Sequence, residues 1–170
     1  MATRLVRFSV DLLEAEARST GALCAMLQVA EPGSWPPPFN DAGVRDWFLD
    51  QLRSDAERAR WLGYYVISSV DGAETLVGTA GYKGPPVADG KVEIGYSLVG
   101  AYHRRGIGSE VVGQLVSGAF SDPRVRRITA ETPMSFGASR GLLEKCGFRL
   151  TGQKLDPEEG ELALYEYVRG

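Results

Sequence analysis

A chain of 170 residues, 44% hydrophobic and 24% charged, is long enough for one domain burying about 70% of its unfolded surface. Its net charge of -3 gives no general attraction to nucleic acid or to an anionic membrane, so any anion site must be built locally. Cys24 and Cys146 lie far apart within helical patterns and lack metal-ligand or C-x-x-C spacing. That fits reduced thiols in a cytoplasmic protein without a metal centre, and the absence of an apolar leader or membrane-length run predicts neither export nor a membrane span.

Arg4–Phe8 reads as a short strand, and Asp11 with Glu14 as a D-x-x-E capping signal for a helix running towards Gln28. Trp35-Pro-Pro-Pro-Phe39 cannot be helical, because each proline fixes φ and pushes its predecessor towards extended geometry. Asn40 or Asp41 can cap a second helix with Val44, Trp47, Phe48 and Leu52 on one face. Leu62–Ser69 and Glu74–Tyr82 predict two strands joined by a Val-Asp-Gly-Ala turn, and Ala88–Lys91 a further hairpin turn before a strand from Val92 to Val99. Ile107, Val111, Val112, Leu115, Val116, Ala119 and Phe120 recur at helical spacing. A strand over Val125–Thr132, a helix over Ala138–Cys146 stopped by Gly147, and strands over Phe148–Gly152 and Glu161–Val168 complete the chain. Strands cluster before and after the long helix, so the order predicts an α+β fold, a single domain over residues 1–170, rather than alternating α/β.

The junction of the Val92 strand with the Ile107 helix carries the chemistry. Arg104-Arg-Gly-Ile-Gly-Ser109 places two glycines at a helix start, where backbone N–H groups lack intrahelical partners and the dipole favours an anion. Arg104 and Arg105 add fork-shaped donors suited to phosphate oxygens. No Gly-Lys-Ser or Gly-Lys-Thr occurs, which argues against a Walker site, and Val111 stands where a dinucleotide fingerprint needs its third glycine.

His103-Arg-Arg-Gly-Ile-Gly108 resembles the [QR]-x-x-G-x-[GA] signature of the GNAT superfamily of acetyl-CoA-dependent N-acetyltransferases. Four blocks extend the resemblance in family order: Trp35–Phe39, Leu76–Gly81, Val92–Tyr96 and Ser139–Phe148. Together they are similar to the branch containing the ribosomal-protein N-terminal acetyltransferases. The resemblance implies a mixed, mostly antiparallel central sheet flanked by about four helices, with a splayed-strand acetyl-CoA cleft. It implies that Arg104, Arg105, Gly106, Ile107, Gly108 and Ser109 hold the pyrophosphate, and that backbone N–H groups of Ser97, Leu98 and Val99 bond the pantetheine and the acetyl oxygen. Three positions depart from the family: His103 replaces Gln or Arg, Phe136 replaces an asparagine that positions pantetheine, and Leu143 replaces a tyrosine that many members use to protonate the thiolate. Ser139 is the alternative proton donor in this branch; a first-turn or N-cap role explains it equally.

Acetyl transfer to an amine needs a proton acceptor for the amine, a donor for the carbonyl oxygen and a proton for the thiolate, with no covalent enzyme intermediate. Strand alternation puts Glu93, Gly95 and Ser97 on one face, polar where a central strand should be apolar, so Glu93 is the candidate base, with Glu131 second. Trp35, Phe39 and Tyr82 are candidate walls of an acceptor pocket; core packing is the other reading of each. Three functions follow: an N-acetyltransferase acting on a peptide N-terminus or small-molecule amine, a non-catalytic acyl-CoA-binding module of the same fold, and a nicotinamide- or nucleotide-dependent enzyme. No nucleic-acid or membrane partner is expected. The last strand, with Leu162, Leu164, Tyr165 and Tyr167, offers an edge through which a homodimer could pair.

Overall fold

Serine caps decide how the first helices form. Ser9 accepts a hydrogen bond from the N–H of Leu12 and starts α1 (Val10–Arg18); Ser19, extended at φ -173°, ends α1 and accepts from Ala22 to start α2 (Thr20–Leu27). The continuous helix expected towards Gln28 is therefore two helices, and the expected Asp11 cap is a first-turn residue behind the true cap at Ser9. The computed structural model describes residues 2–38 and 40–168. They form two compact units, Met1–Gly81 with Tyr96–Val111 and Tyr82–Gly95 with Val112–Gly170.

In the first unit, β1 (Thr3–Arg7), β2 (Gly63–Val70) and β3 (Ala73–Tyr82) pair in sequence, the first two pairings antiparallel. The β2–β3 turn has positive φ at both Asp71 and Gly72 between paired Val70 and Ala73, the two-residue hairpin that Asp-Gly predicts. Asp41, not Asn40, caps α3 (Ala42–Ser54) by accepting from Val44. The buried face of α3 carries Leu49 and Leu52 with Phe48 beside them, whereas Trp47 is 47% exposed and Val44 only half-buried. Phe48, Leu49 and Leu52 join Phe8, Leu13, Leu23 and Tyr65 in the core of this unit.

β4 (Lys91–Leu98) and α4 (Ile107–Phe120) each begin in one unit and end in the other. In the second unit the first half of β4 pairs parallel with β5 (Arg127–Pro133), and β5 pairs antiparallel with β7 (Gly160–Val168), which pairs with β6 (Arg149–Asp156). The hydrogen-bonded strand order is β1-β2-β3-β4-β5-β7-β6, one mixed and mostly antiparallel sheet as expected. The parallel register stops at Ile94 and Ala130, although β4 continues to Leu98 and β5 to Pro133. Among the described residues there are five α-helices, one more than expected because of the break at Ser19; α5 covers Gly137–Lys145. β6 runs four residues past the expected Gly152, because the turn sits at Asp156–Gly160, where Asp156 accepts from the N–H groups of Glu158 and Glu159. One expectation fails on topology. β7 has β5 on one side and β6 on the other, so the last strand has no unpaired edge through which a second copy could extend the sheet.

Candidate active site

The first unit holds the anion turn. After β4 a 3-10 turn at Gly100–Tyr102 leads into the segment before α4, where φ is +61° at Arg104 and +82° at Gly106. Positive φ on either side of Arg105 turns successive N–H groups inward, the backbone form of an anion nest, and the first turn of α4 adds its own unpaired donors. A Cβ built on Gly106 meets nothing within 4 Å, so the turn faces open space that a side chain would fill. Both arginines are exposed. The guanidinium of Arg105 lies 5.9 Å from the centre of the Tyr102 ring. His103 points back instead: its Nε2 is 2.9 Å from the carbonyl oxygen of Leu98, tying the turn to the end of β4. A diphosphate group fits this turn.

The end of β4 revises one expectation. The N–H of Val99 donates to the carbonyl of Val77 in β3 at 2.9 Å, so it is not available to a ligand. Ladder alternation then directs the N–H of Leu98 to the opposite edge, away from β3. Ser97 contributes differently. Its Oγ donates to the carbonyl of Pro38 at 2.8 Å, and the same carbonyl accepts from Asn40 Nδ2, while Thr79 Oγ1 donates to Asn40 Oδ1 at 2.9 Å. The proline segment is thereby strapped across β3 and β4. Its aromatic, Trp35, is half-buried and donates through Nε1 to Glu16 Oε2 at 2.9 Å; Tyr65 donates to Glu16 Oε1 at 2.6 Å. Burial and the Glu16 charge push the Tyr65 phenol far above its ordinary value, with Arg45 opposing. Phe39 lies outside the described residues. Glu16, the residue that orients Trp35, carries no sequence signal beyond being an acid in an otherwise apolar helix face.

The second unit holds the candidate proton-transfer groups. Glu93 is 20% exposed, and its Oε2 is buried. The Nζ of Lys83 sits 2.7 Å from that oxygen but off the hydrogen-bond direction, so the pair is ionic without a directed bond. Glu131, the second carboxylate, pairs with Lys154 at 2.8 Å, and this bond, with the charges of Glu131, Glu93 and Asp156 adding to it, raises the lysine above its ordinary value. Ser139 is half-buried in the first turn of α5, whose N-cap is Phe136, a residue without a side-chain capping bond. Leu143 is buried in the core. Tyr82 is 6% exposed and donates its hydroxyl to the carbonyl of Leu115 in α4 at 2.6 Å, so its polar end serves the helix. Lys83, which sequence reading passed over, is signalled only by its place after β3, opposite Glu93.

An α+β sheet whose fourth strand runs into an arginine-flanked glycine turn and a helix defines an acyl-CoA-type transferase, and the family model for the acetyltransferase (GNAT) domain matches residues 11–149. The chain belongs to the GNAT acetyltransferase family and is an acyltransferase. It is 27% identical over 86% of its length to the uncharacterised N-acetyltransferase YjdG of Bacillus subtilis, covering 86% of that protein. Its fold is similar to that of the microcin C7 self-immunity acetyltransferase MccE, solved with acetyl-CoA and AMP (TM-score 0.68, 16% identity, 98% of this chain and 92% of that one). The same holds for the ribosomal L7/L12 α-N-protein acetyltransferase RimL (0.64, 15%, 99% and 91%) and for the aminoglycoside acetyltransferase AAC(6')-Ib in complex with coenzyme A (0.63, 20%, 99% and 95%).

Proposed function

We propose that this protein transfers the acetyl group of acetyl-CoA to a primary amine, a peptide N-terminus or a small-molecule amine, by direct attack. The turn from Arg104 to Ser109 carries the reading: positive φ at Arg104 and Gly106, open space over Gly106 and two exposed arginines at a helix start suit a diphosphate. The family match over residues 11–149 spans both compact units and supports their acting as one acetyltransferase domain. Structural neighbours named for a protein N-terminus and for aminoglycosides support an amine acceptor. Cys24 and Cys146, neither in a disulfide, favour a cytoplasmic setting.

Acetyl-CoA supplies an activated thioester carbonyl; the chain's own residues supply the rest. Arg104, Arg105 and the N–H groups of Gly106–Ser109 hold the diphosphate, and the Leu98 N–H donates to the pantetheine or the acetyl oxygen. Trp35, fixed by Glu16, forms part of the acceptor wall. Glu93 accepts the amine proton directly or through water, and Ser139 is the group proposed to return a proton to the thiolate.

Thermal unfolding with acetyl-CoA, NAD and ATP in separate samples tests the cofactor. Ligand at about a hundred times its Kd adds about 2.7 kcal/mol, which raises Tm by about 5–11 °C for a domain of this size. A shift with acetyl-CoA alone is expected; none at saturation removes the reading. Following thiol release against a panel of amines, Glu93→Gln lowers kcat by about a hundredfold. An unchanged kcat would take Glu93 out of the mechanism.

A further inference from the structure

Lys83 puts a primary amine against the carboxylate proposed as the base. Its backbone N–H donates to the carbonyl of Glu93 at 2.9 Å, so the ladder sets the two residues side by side. Its arm then lies over Gly95: a Cβ built there would meet only Lys83 Cε, at 3.8 Å. The Nζ ends 2.7 Å from Glu93 Oε2, an oxygen that is buried and receives no directed hydrogen bond. The lysine side chain is 59% exposed, so it reaches the carboxylate from the solvent side.

Each of these features is one that a substrate amine needs. A primary amine lies against the proposed base.

We propose that Lys83 is itself an acetyl acceptor: with acetyl-CoA bound and no outside amine beside Glu93, the chain acetylates its own Lys83. This rests on the reading of Glu93 as the base. The Nζ ammonium gives a proton to the Glu93 carboxylate, and its lone pair forms a C–N bond to the thioester carbonyl carbon. The C–S bond breaks, the thiolate takes up a proton, and Glu93 passes its proton to water. One ammonium and one acetyl-CoA become one acetamide, one CoA thiol and one free proton. The product has no charge at position 83, so the ion pair is lost and Glu93 is opened to an outside amine. Lys154 is held by Glu131 at 2.8 Å, and Lys91 lies on the same face of β4 but two residues further from Ser97. Neither is placed as Lys83 is.

The test incubates the full chain with acetyl-CoA and no added amine, and follows the intact mass and then the peptide map. One acetyl group should appear on Lys83, at a rate independent of protein concentration and at least about tenfold above Lys91, Lys145 and Lys154. Glu93→Gln, confirmed as folded by thermal unfolding, should slow it by about a hundredfold, and Lys83→Arg should leave that peptide unmodified. The proposal is overturned if Lys83 reacts no faster than the other lysines, if the rate scales with protein concentration, or if folded Glu93→Gln reacts like the parent. The acetyl-CoA thermal shift separates the two readings: a shift without Lys83 acetylation removes this inference alone, whereas no shift removes the transferase reading with it.

Discussion

Replacing Gly78 by alanine tests whether the β3–β4 contact sets the position of the ligand-binding strand. A methyl at Gly78 would collide with the carbonyl oxygen of Ser97, and would lie 2.8 Å from Leu98 Cδ2 and 3.0 Å from Leu98 Cα. Ordinary contact begins at 3.4 Å, so the Leu98 backbone must retreat by about 0.4 Å and the Ser97 carbonyl by more. Two of the three obstacles are backbone atoms of β4, which no rotamer change can move aside. Overpacking of this kind costs about 1–3 kcal/mol, while alanine returns about 0.5–1 kcal/mol by restricting the unfolded chain. The net loss is about 0–2.5 kcal/mol, a fall in Tm of up to about 10 °C. Because Leu98 carries the proposed pantetheine donor, acetyl-CoA should also bind about tenfold more weakly. Gly113→Ala is the control. It lies on the exposed face of α4 with nothing within 4 Å of its Cβ, and should gain about 0.8–1 kcal/mol. Urea unfolding and calorimetric titration read both quantities. If Gly78→Ala matches the parent in stability and in acetyl-CoA affinity, the close approach does not position β4 and the reasoning fails.

Other substitutions probe separate parts of the chain. Phe136 is 46% exposed and caps α5 without a side-chain bond, so Phe136→Asn should add about 1 kcal/mol and raise Tm by about 2–4 °C; a lower Tm would show that the ring's contacts outweigh a cap. Glu16→Ala strands the fully buried Tyr65 hydroxyl and the Trp35 N–H and should cost about 2–4 kcal/mol in urea unfolding, with Glu16→Gln, which retains an acceptor, losing less; equal losses would show that acceptor geometry is not what matters. Burial, with the Glu31 charge adding, pushes the Cys24 thiol from 9.0 up to about 11. The unfolded chain ionises this thiol first, so the contribution is intact below about pH 9 and is lost as pH rises towards 11. Cys24→Ala should therefore show a shallower fall in stability than the parent across that window, and identical slopes would refute the assignment.

How much of this was legible in the sequence depended on the range of the interaction involved. The β4–turn–α4 junction was readable because every signal in it is local: strand alternation through Val92–Leu98, glycines at a helix start, and a 3.6-residue apolar period from Ile107. The Asp71-Gly72 hairpin was readable for the same reason. The break at Ser19 was hidden because Leu13, Leu23 and Cys24 fit one apolar stripe whether or not the helix is continuous; Ser19, ending one helix and capping the next, broke it, and a serine in a helical run has no unique meaning. The place of β7 between β5 and β6 was hidden because pairing order is non-local, and the last strand in sequence need not be the last in the sheet.

The same division explains the candidate site. Glu93 stood out as an acid on a strand that should be apolar, but the sequence held no sign that its carboxylate is already engaged by Lys83 at 2.7 Å. On the proposed reading of Glu93 as the base, an outside amine must displace the Lys83 amine from it, so removing the Lys83 charge should lower the cost of entry for an acceptor. The ion pair is partly exposed, so its own contribution to stability is small, about 0–1 kcal/mol. Its importance lies in occupancy: a weak pair that is displaced at little cost can still decide which amine meets the base first.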